Sequence, residues 1–562
     1  GQDLRDFLPL KGLQRIQGKT AYTARLDFLG QDRLNFSLSS ALKGLAINMP
    51  GSLKKSATQE QALEVQWQDK RPQGTRQLHV NLGKDQVRAI FERIDKSARF
   101  FHRGVVAVNR APSLPTKNLS VLIKGGQWDL VQWEDLVDEF DQRLSTPRNT
   151  TKNSRSSQDQ GGTFPELYQL DLEMDHMDYH FLHVDNMHLL GNRVDSRNWQ
   201  LQLRSADIQG RLEIRMSEDL KDLQALKGRY DHIHWRDTSM NSDEAGIEGT
   251  TAAGAQAGTK SAADGSSAKK RLDLPNIDIE VKRLSVYGKS LGSLNLKGIG
   301  RGKNAWQLDE LSLHNDVGSL FATGSLRSNA QSTAADIRLN LNTLDMGKFL
   351  THFGLGDVIN GGNGFVNGRI QVPDVRNIAL NNLQAQWEAQ ITQGSLLSVK
   401  SKAVKALEFI SLQSLSRLSQ VGEGHRLFGA GLQFDYVRGH FDLTQQRLNV
   451  ADFRLDGPLV AVVAMGHTHL QSKQLDFQAV AVPKIEMSGA AILSGIIVNP
   501  IVGVGAFLTQ WLLQEPLGRA LTQRFHVTGN WDQVKLDDVP LPSDEQLKDK
   551  DTQRKIDDLY RN

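Results

Sequence analysis

Four histidines, His176, His180, His183 and His188, fall in one short stretch with Asp178 and Asp185, a set of imidazoles and carboxylates of the kind that ligates transition metals. On a strand, their spacings of four, three and five put them on mixed faces, and the aspartates complete no recognised ligand motif. The expectation is therefore ordinary exposed histidines and no metal. His467 and His469 do share a strand face, but two ligands fall short of a site. Gly361, Gly362 and Gly364 form the densest glycine cluster, and Asn360 and Asn363 around them read as a turn after a short helix. The sequence offers no Gly-rich phosphate loop, nucleophile elbow or metalloprotease helix. It points to no catalytic residue, no cofactor and no enzyme.

The chemistry then has to lie in surfaces, and the elements that carry them are strands. Tyr22, Ala24, Leu26 and Phe28 alternate with Thr23, Arg25 and Asp27, and Leu34, Phe36 and Leu38 with Asn35 and Ser37. The period of two returns at Leu63, Val65 and Trp67, at Ile277, Ile279 and Val281, and at Ile337, Leu339 and Leu341. Leu475, Phe477 and Ala479 follow the same rule. Helical patterns are few and short, at 133–144, 346–353, 402–418 and on either side of Pro500. So much one-sided sheet must meet a second sheet, close on itself, or face something apolar that is not protein. Two stretches, Met187 to Leu212 and Leu284 to Leu320, each carry a glycine, a Trp-Gln-Leu strand and a second glycine, and suggest a repeated hairpin unit.

Size and charge narrow the class. The 562 residues exceed a usual domain, and 39% hydrophobic with 23% charged residues is a folding composition. Lys and Arg number 67 against 64 Asp and Glu, with the signs interspersed, so nucleic acid is not an expected partner. Cysteine is absent, which excludes disulfides and leaves the compartment open. The opening residues, Gly1 to Leu4, lack a signal-peptide pattern, so any export address is expected upstream. The one long uncharged stretch, 487–514, is interrupted by Asn499, Pro500 and several glycines. It reads as two short helices that either cap the sheet or contact a membrane through Ile492, Leu493, Ile496, Ile497, Ile501, Val502, Phe507, Trp511 and Leu512.

Several ordered motifs carry a resemblance. Phe409 to Leu418 reads FISLQSLSRL, and Leu427 to Asp435 reads LFGAGLQFD, with Gly439 closing the next hairpin. Leu455 to Pro458 is LDGP, Val527 to Asp532 is VTGNWD, and Leu42 to Pro50 is LKGLAINMP. In this order they resemble the YhdP family of AsmA-like, TamB-related envelope proteins, most densely from Thr343 to Asp532. Gln533 and Val534 stand where that family usually has proline.

The resemblance implies a mainly β fold: an elongated, twisted antiparallel sheet curled into an apolar groove, with few short helices and a C-terminal helical hairpin. It implies a periplasmic conduit, anchored in the inner membrane by a segment upstream of this chain. The conduit would pass phospholipids toward the outer membrane and support the outer-membrane barrier. A second role, a scaffold for outer-membrane proteins acting through strand edges on an envelope protein partner, stays open beside it. Roughly thirty strands at about 4.8 Å each would advance on the order of 140 Å.

The expected divisions are groove segments at 1–144, 163–240 and 271–345, separated by a low-complexity loop at 145–162 and a flexible linker at 241–270. An AsmA-like region at 346–483, with a helix at 402–418, leads to the apolar hairpin at 484–522, a terminal strand at 523–542 and a charged tail at 543–562. Candidate groove-lining residues are Leu26, Phe28, Phe36, Ile279, Val281, Leu339, Leu341, Phe441 and Leu443. Alternation alone leaves open which strand face looks inward.

Overall fold

The computed structural model describes residues 15–540, except 134–163, 237–273, 398–431 and 484–521 and short breaks at 31–32, 52–53, 72–74, 85, 95–98, 180–181, 219–221, 303, 330, 353–357, 459 and 532. The expected loop at 145–162, linker at 241–270, helix at 402–418, apolar hairpin and charged tail therefore lie outside the described residues. So do the nine membrane-contact residues and nearly all of the helix expected at 133–144. Among the described residues no helix is long and apolar enough to cross a membrane. The chain divides into two compact units, 1–254 with 278–290, and 255–277 with 291–562.

In the first unit Thr23–Gly30 pairs with Arg33–Ser40, and the ladder continues antiparallel through Leu63–Asp69, Arg76–Leu82, Val87–Arg93 and Arg103–Val108. The next step departs from the all-antiparallel expectation. Arg103–Val108 pairs parallel with Asn118–Lys124, which pairs parallel with Leu167–Tyr179. Parallel neighbours need a crossover, and 109–117 supplies the first one. The strand 118–124 is broken after Lys124 by Gly125 and Gly126, both at positive φ, and resumes as Gln127–Asp129 along the same partner. Antiparallel pairing returns in Leu182–Arg193, Asn198–Arg204, Ile208–Met216 and Leu223–Trp235.

The second unit is a plain antiparallel meander. From Lys289–Gly300 it runs through Ala305–His314, Gly318–Ser328, Thr333–Thr343, Ile359–Val372 and Gln384–Leu396. It continues through Leu432–Thr444, Arg447–Asp456, Val460–His469, Gln474–Pro483, Gln523–Asn530 and Gln533–Val539, each strand pairing with the next. The expected short helix is present as Met346–His352. Asp345 caps it, its Oδ1 accepting from Lys348 N at 2.9 Å. Met346, Phe349 and Leu350 pack on the cluster formed by Ile391, Leu396, Leu432, Phe434 and Leu455.

Three local readings change. Gly361, Gly362 and Gly364 are part of the strand Ile359–Val372 rather than a turn, with Gly361 and Gly362 at positive φ. Gly439 sits inside Leu432–Thr444 and closes no hairpin. The two Trp-Gln-Leu stretches are not copies of one hairpin, because Gly288 is a positive-φ turn residue while Gly191 is mid-strand opposite Leu201.

Candidate functional site

Strand register turns the alternating residues into continuous rows. In the second unit, directly paired residues run from Leu296 to Leu311, Ala322, Leu339, Gly368 and Trp387, and on to Phe441, Val450, Gly466, Phe477, Val527 and Leu536. The row two residues along each strand contains Leu294, Leu313, Leu320, Leu341, Val366 and Ala389. The row on the other side contains Ile337, Ile370, Ala385, Leu443 and Leu448. Three parallel rows of apolar side chains and glycines thus form one lane at right angles to the strands. The reverse face carries a polar row, with Arg338, Arg369, Gln386, Asp442, Asn449, His467 and Asp476 as successive partners.

The first unit repeats the design. Ala24, Leu38, Val65, Val80, Ala89 and Val106 are joined across the parallel pair to Val121 and Leu170, then to Gly191, Leu201, Leu212 and Gly228. A flanking row is made of Leu26, Phe36, Trp67, Leu78 and Phe91. Here Asp278 pairs with Arg229 and Lys282 with Asp231 on the polar face. Alternation then turns Ile279 and Val281 to the apolar face, and Val281 is fully buried.

The nine candidate lining residues thus sit on the apolar face of their own unit. Their exposure differs widely: Phe28 is 82% exposed and Leu26 54%, whereas Leu341 and Leu443 are buried. Further along the second unit Val460, Val462, Ala481 and Phe525 are closed to solvent. In the first unit Phe101 lies on the lane, its ring 5.4 Å from that of Phe91 and 6.3 Å from that of Trp67.

The lane also contains a pairing that alternation could not reveal. Strand glycines lie beneath aromatic rings: Gly439 under Phe441, Gly394 under Phe434, Gly298 under Trp306, Gly210 under Tyr230 and Gly104 under Phe91. A Cβ on Gly439 would stand 2.6 Å from the Phe441 ring, and one on Gly394 2.7 Å from that of Phe434. Each ring occupies the space that a side chain on the glycine would need, and covers the backbone that glycine exposes.

The histidines behave differently from the mixed-face expectation. Across the hairpin His176 stands opposite Asp185, and Asp178 opposite His183. His176 Nδ1 is 2.6 Å from Asp185, its Nε2 3.0 Å from Asp178 Oδ1, and His183 Nδ1 2.5 Å from that same oxygen. The hydrogen bond to Asp185 leads in raising the His176 pKa above its ordinary value, against partial burial. Alternation slips between Met174 and Met177, which are both buried in one apolar cluster with Met187 and Val184, and Asn186 in the facing strand has a φ of 50°. That slip returns all four polar side chains to the solvent side. His188 belongs to another group, 3.0 Å from Asp171, and His180 lies outside the described residues. His467 and His469 share a face as expected, and no metal-type cluster among the described residues includes them.

The sequence model of the family described as "YhdP protein" matches residues 2–536. The chain belongs to the YhdP family. It is also similar to the intermembrane phospholipid transporter YhdP of Escherichia coli (strain K12), with 24% identity over 151 residues. That stretch is 27% of this chain and 12% of the relative, so the chain matches a small part of a much longer protein. No solved structure matches this YhdP-family chain.

Proposed function

We propose that the apolar lane holds the acyl chains of phospholipids and lets them pass along the sheet between the inner and outer membranes. The observation that carries this reading is the register: in both units the apolar rows continue from strand to strand, while the reverse face carries polar and charged residues over much of its length, with Val105, Ala107 and Leu122 in the first unit and Val463 and Val480 in the second as buried apolar exceptions. Membership of the YhdP family and similarity to a protein named as an intermembrane phospholipid transporter support the same cargo.

The physical account is simple. A chain lying on the lane loses water contact at about 25 cal/mol per Å², or roughly 0.8 kcal/mol per methylene. Because the rows repeat at every strand, neighbouring positions are nearly equal in energy and movement meets low barriers. Headgroups stay in water at the open side, which asks for weak selectivity and no catalytic group. The setting is the periplasm, with the sheet curled into a groove and the chain acting as a conduit rather than an enzyme.

A scaffold role through strand edges has less support. Among the described residues the strands Thr23–Gly30 and Gln533–Val539 end the pairing, and they carry Arg25 and Asp27, and Lys535, Asp537 and Asp538. Charges of this kind discourage edge-to-edge pairing. Mass spectrometry of lipids copurifying with the chain tests the proposal: phospholipid in stoichiometric amount is expected, and a lipid-free protein that captures only polypeptide would move the assignment to the scaffold.

A further inference from the structure

The end of the hairpin formed by Leu167–Tyr179 and Leu182–Arg193 carries chemistry that a lipid lane does not use. His176 and Asp178 are two apart on one strand, and His183 is Asp178's direct partner on the other, so the backbone fixes all three on one side. One ligand atom from each lies within 4.8 Å of the others. Tetrahedral ligands at about 2.0–2.1 Å from zinc stand roughly 3.3 Å apart, a spacing that side-chain rotation can reach from here.

Asp185 supplies the remaining part. It holds Nδ1 of His176 at 2.6 Å while the other ring nitrogen, Nε2, points to Asp178. A carboxylate on the far nitrogen of a ligating histidine is the arrangement that fixes its tautomer and increases its basicity.

Charge distinguishes this cluster from its neighbour on the same hairpin. Asp171, Glu173 and His188 form a similar group, but there Arg110 provides the cation, 2.7 Å from Asp171 and 3.9 Å from Glu173. Among the described residues, Asp178 and Asp185 form ion pairs only with histidines. Two carboxylates with two imidazoles, and no fixed cation among the described residues, make a site suited to a divalent ion.

We propose that His176 Nε2, Asp178 Oδ1 and His183 Nδ1 ligate a zinc-class divalent ion, with Asp185 orienting His176 and the fourth position left to water. Nitrogen and oxygen donors at a half-exposed site suit zinc or cobalt over calcium or magnesium.

The test is titration of the whole chain with Co²⁺, read by visible absorption, and with Zn²⁺, read by calorimetry. One equivalent with a tetrahedral cobalt spectrum is expected. His183→Gln and Asp178→Asn should each abolish it, Asp185→Asn should weaken it by about 10–100-fold with the spectrum kept, and His469→Gln should leave it unchanged. Urea midpoints equal to the parent's show that the variants remain folded. Absence of saturable binding, binding unchanged in both His183→Gln and Asp178→Asn, or binding lost in His188→Gln alone would overturn the assignment.

Discussion

Trp387 and Phe441, on adjacent strands of the second unit, lie stacked with ring centroids 5.2 Å apart and planes at 14°. They are direct partners in the central apolar row, and Phe441 covers Gly439 on its own strand. At this point the lane carries two rings stacked face to face, and the position of Phe441 depends on a missing side chain at Gly439. Gly439→Leu should displace the Phe441 ring and cost about 1–3 kcal/mol as overpacking, seen as a lower urea midpoint. Gly439→Ala combined with Phe441→Ala should cost less than the sum of the two single changes. Additive losses would show that ring and glycine are independent.

Glu92 anchors the first unit from the polar face. It is buried, which by itself would raise its pKa, but Arg103 at 2.6 Å, Gln77 Nε2 at 3.0 Å and Thr75 Oγ1 at 2.8 Å outweigh burial and hold it down to about 2. Its folded pKa lies below the unfolded value, so the stability it contributes is complete above the ordinary glutamate range. That stability is lost as pH falls from about 4.5 toward 2. Denaturation midpoints from pH 6 to pH 3 should fall in the parent and fall less in Glu92→Gln, which starts lower by about 1–3 kcal/mol.

Much of this was legible in the residues. Alternation placed Leu339 with Leu341 and Phe441 with Leu443 on common faces, because a strand's period of two leaves no other choice. The short helix after Leu344 was legible from its pattern, and Asp345 stands at its cap. The parallel pairings were not, since nothing local to Arg103–Val108 or Asn118–Lys124 records which distant strand each will meet. The His176 and His183 cluster was hidden for a related reason: it depends on hairpin register and on one slip of alternation near Asn186. Gly439 reads as the close of a hairpin because glycine alone does not reveal the ring that covers it.

The strand Thr23–Gly30, at the end of the first unit among the described residues, separates lipid contact from folding. Phe28 is 82% exposed, so Phe28→Asp should change the unfolding free energy from urea denaturation by less than about 0.5 kcal/mol. Recovery of lipid at neighbouring Leu26 by a photoreactive side chain should nonetheless drop. Unchanged recovery would remove this end from the lane.

At Asp345 the expected effect is confined to the helix. Asp345→Ala removes the acceptor for Lys348 N and should cost about 1 kcal/mol, whereas Asp345→Ser should recover most of it. Equal losses in both variants would mean that the cap contributes little.

The central claim is that one sheet face, and only that face, carries lipid. Photoreactive side chains placed singly at Leu339 and Leu341, and at Arg338 and Asn340 between and beside them, test it on one strand where successive residues point to opposite sides. After irradiation in membranes, covalent phospholipid at 339 and 341 with none at 338 and 340 is the result the account predicts. Equal labelling at all four positions, or labelling at 338 and 340 alone, would contradict it.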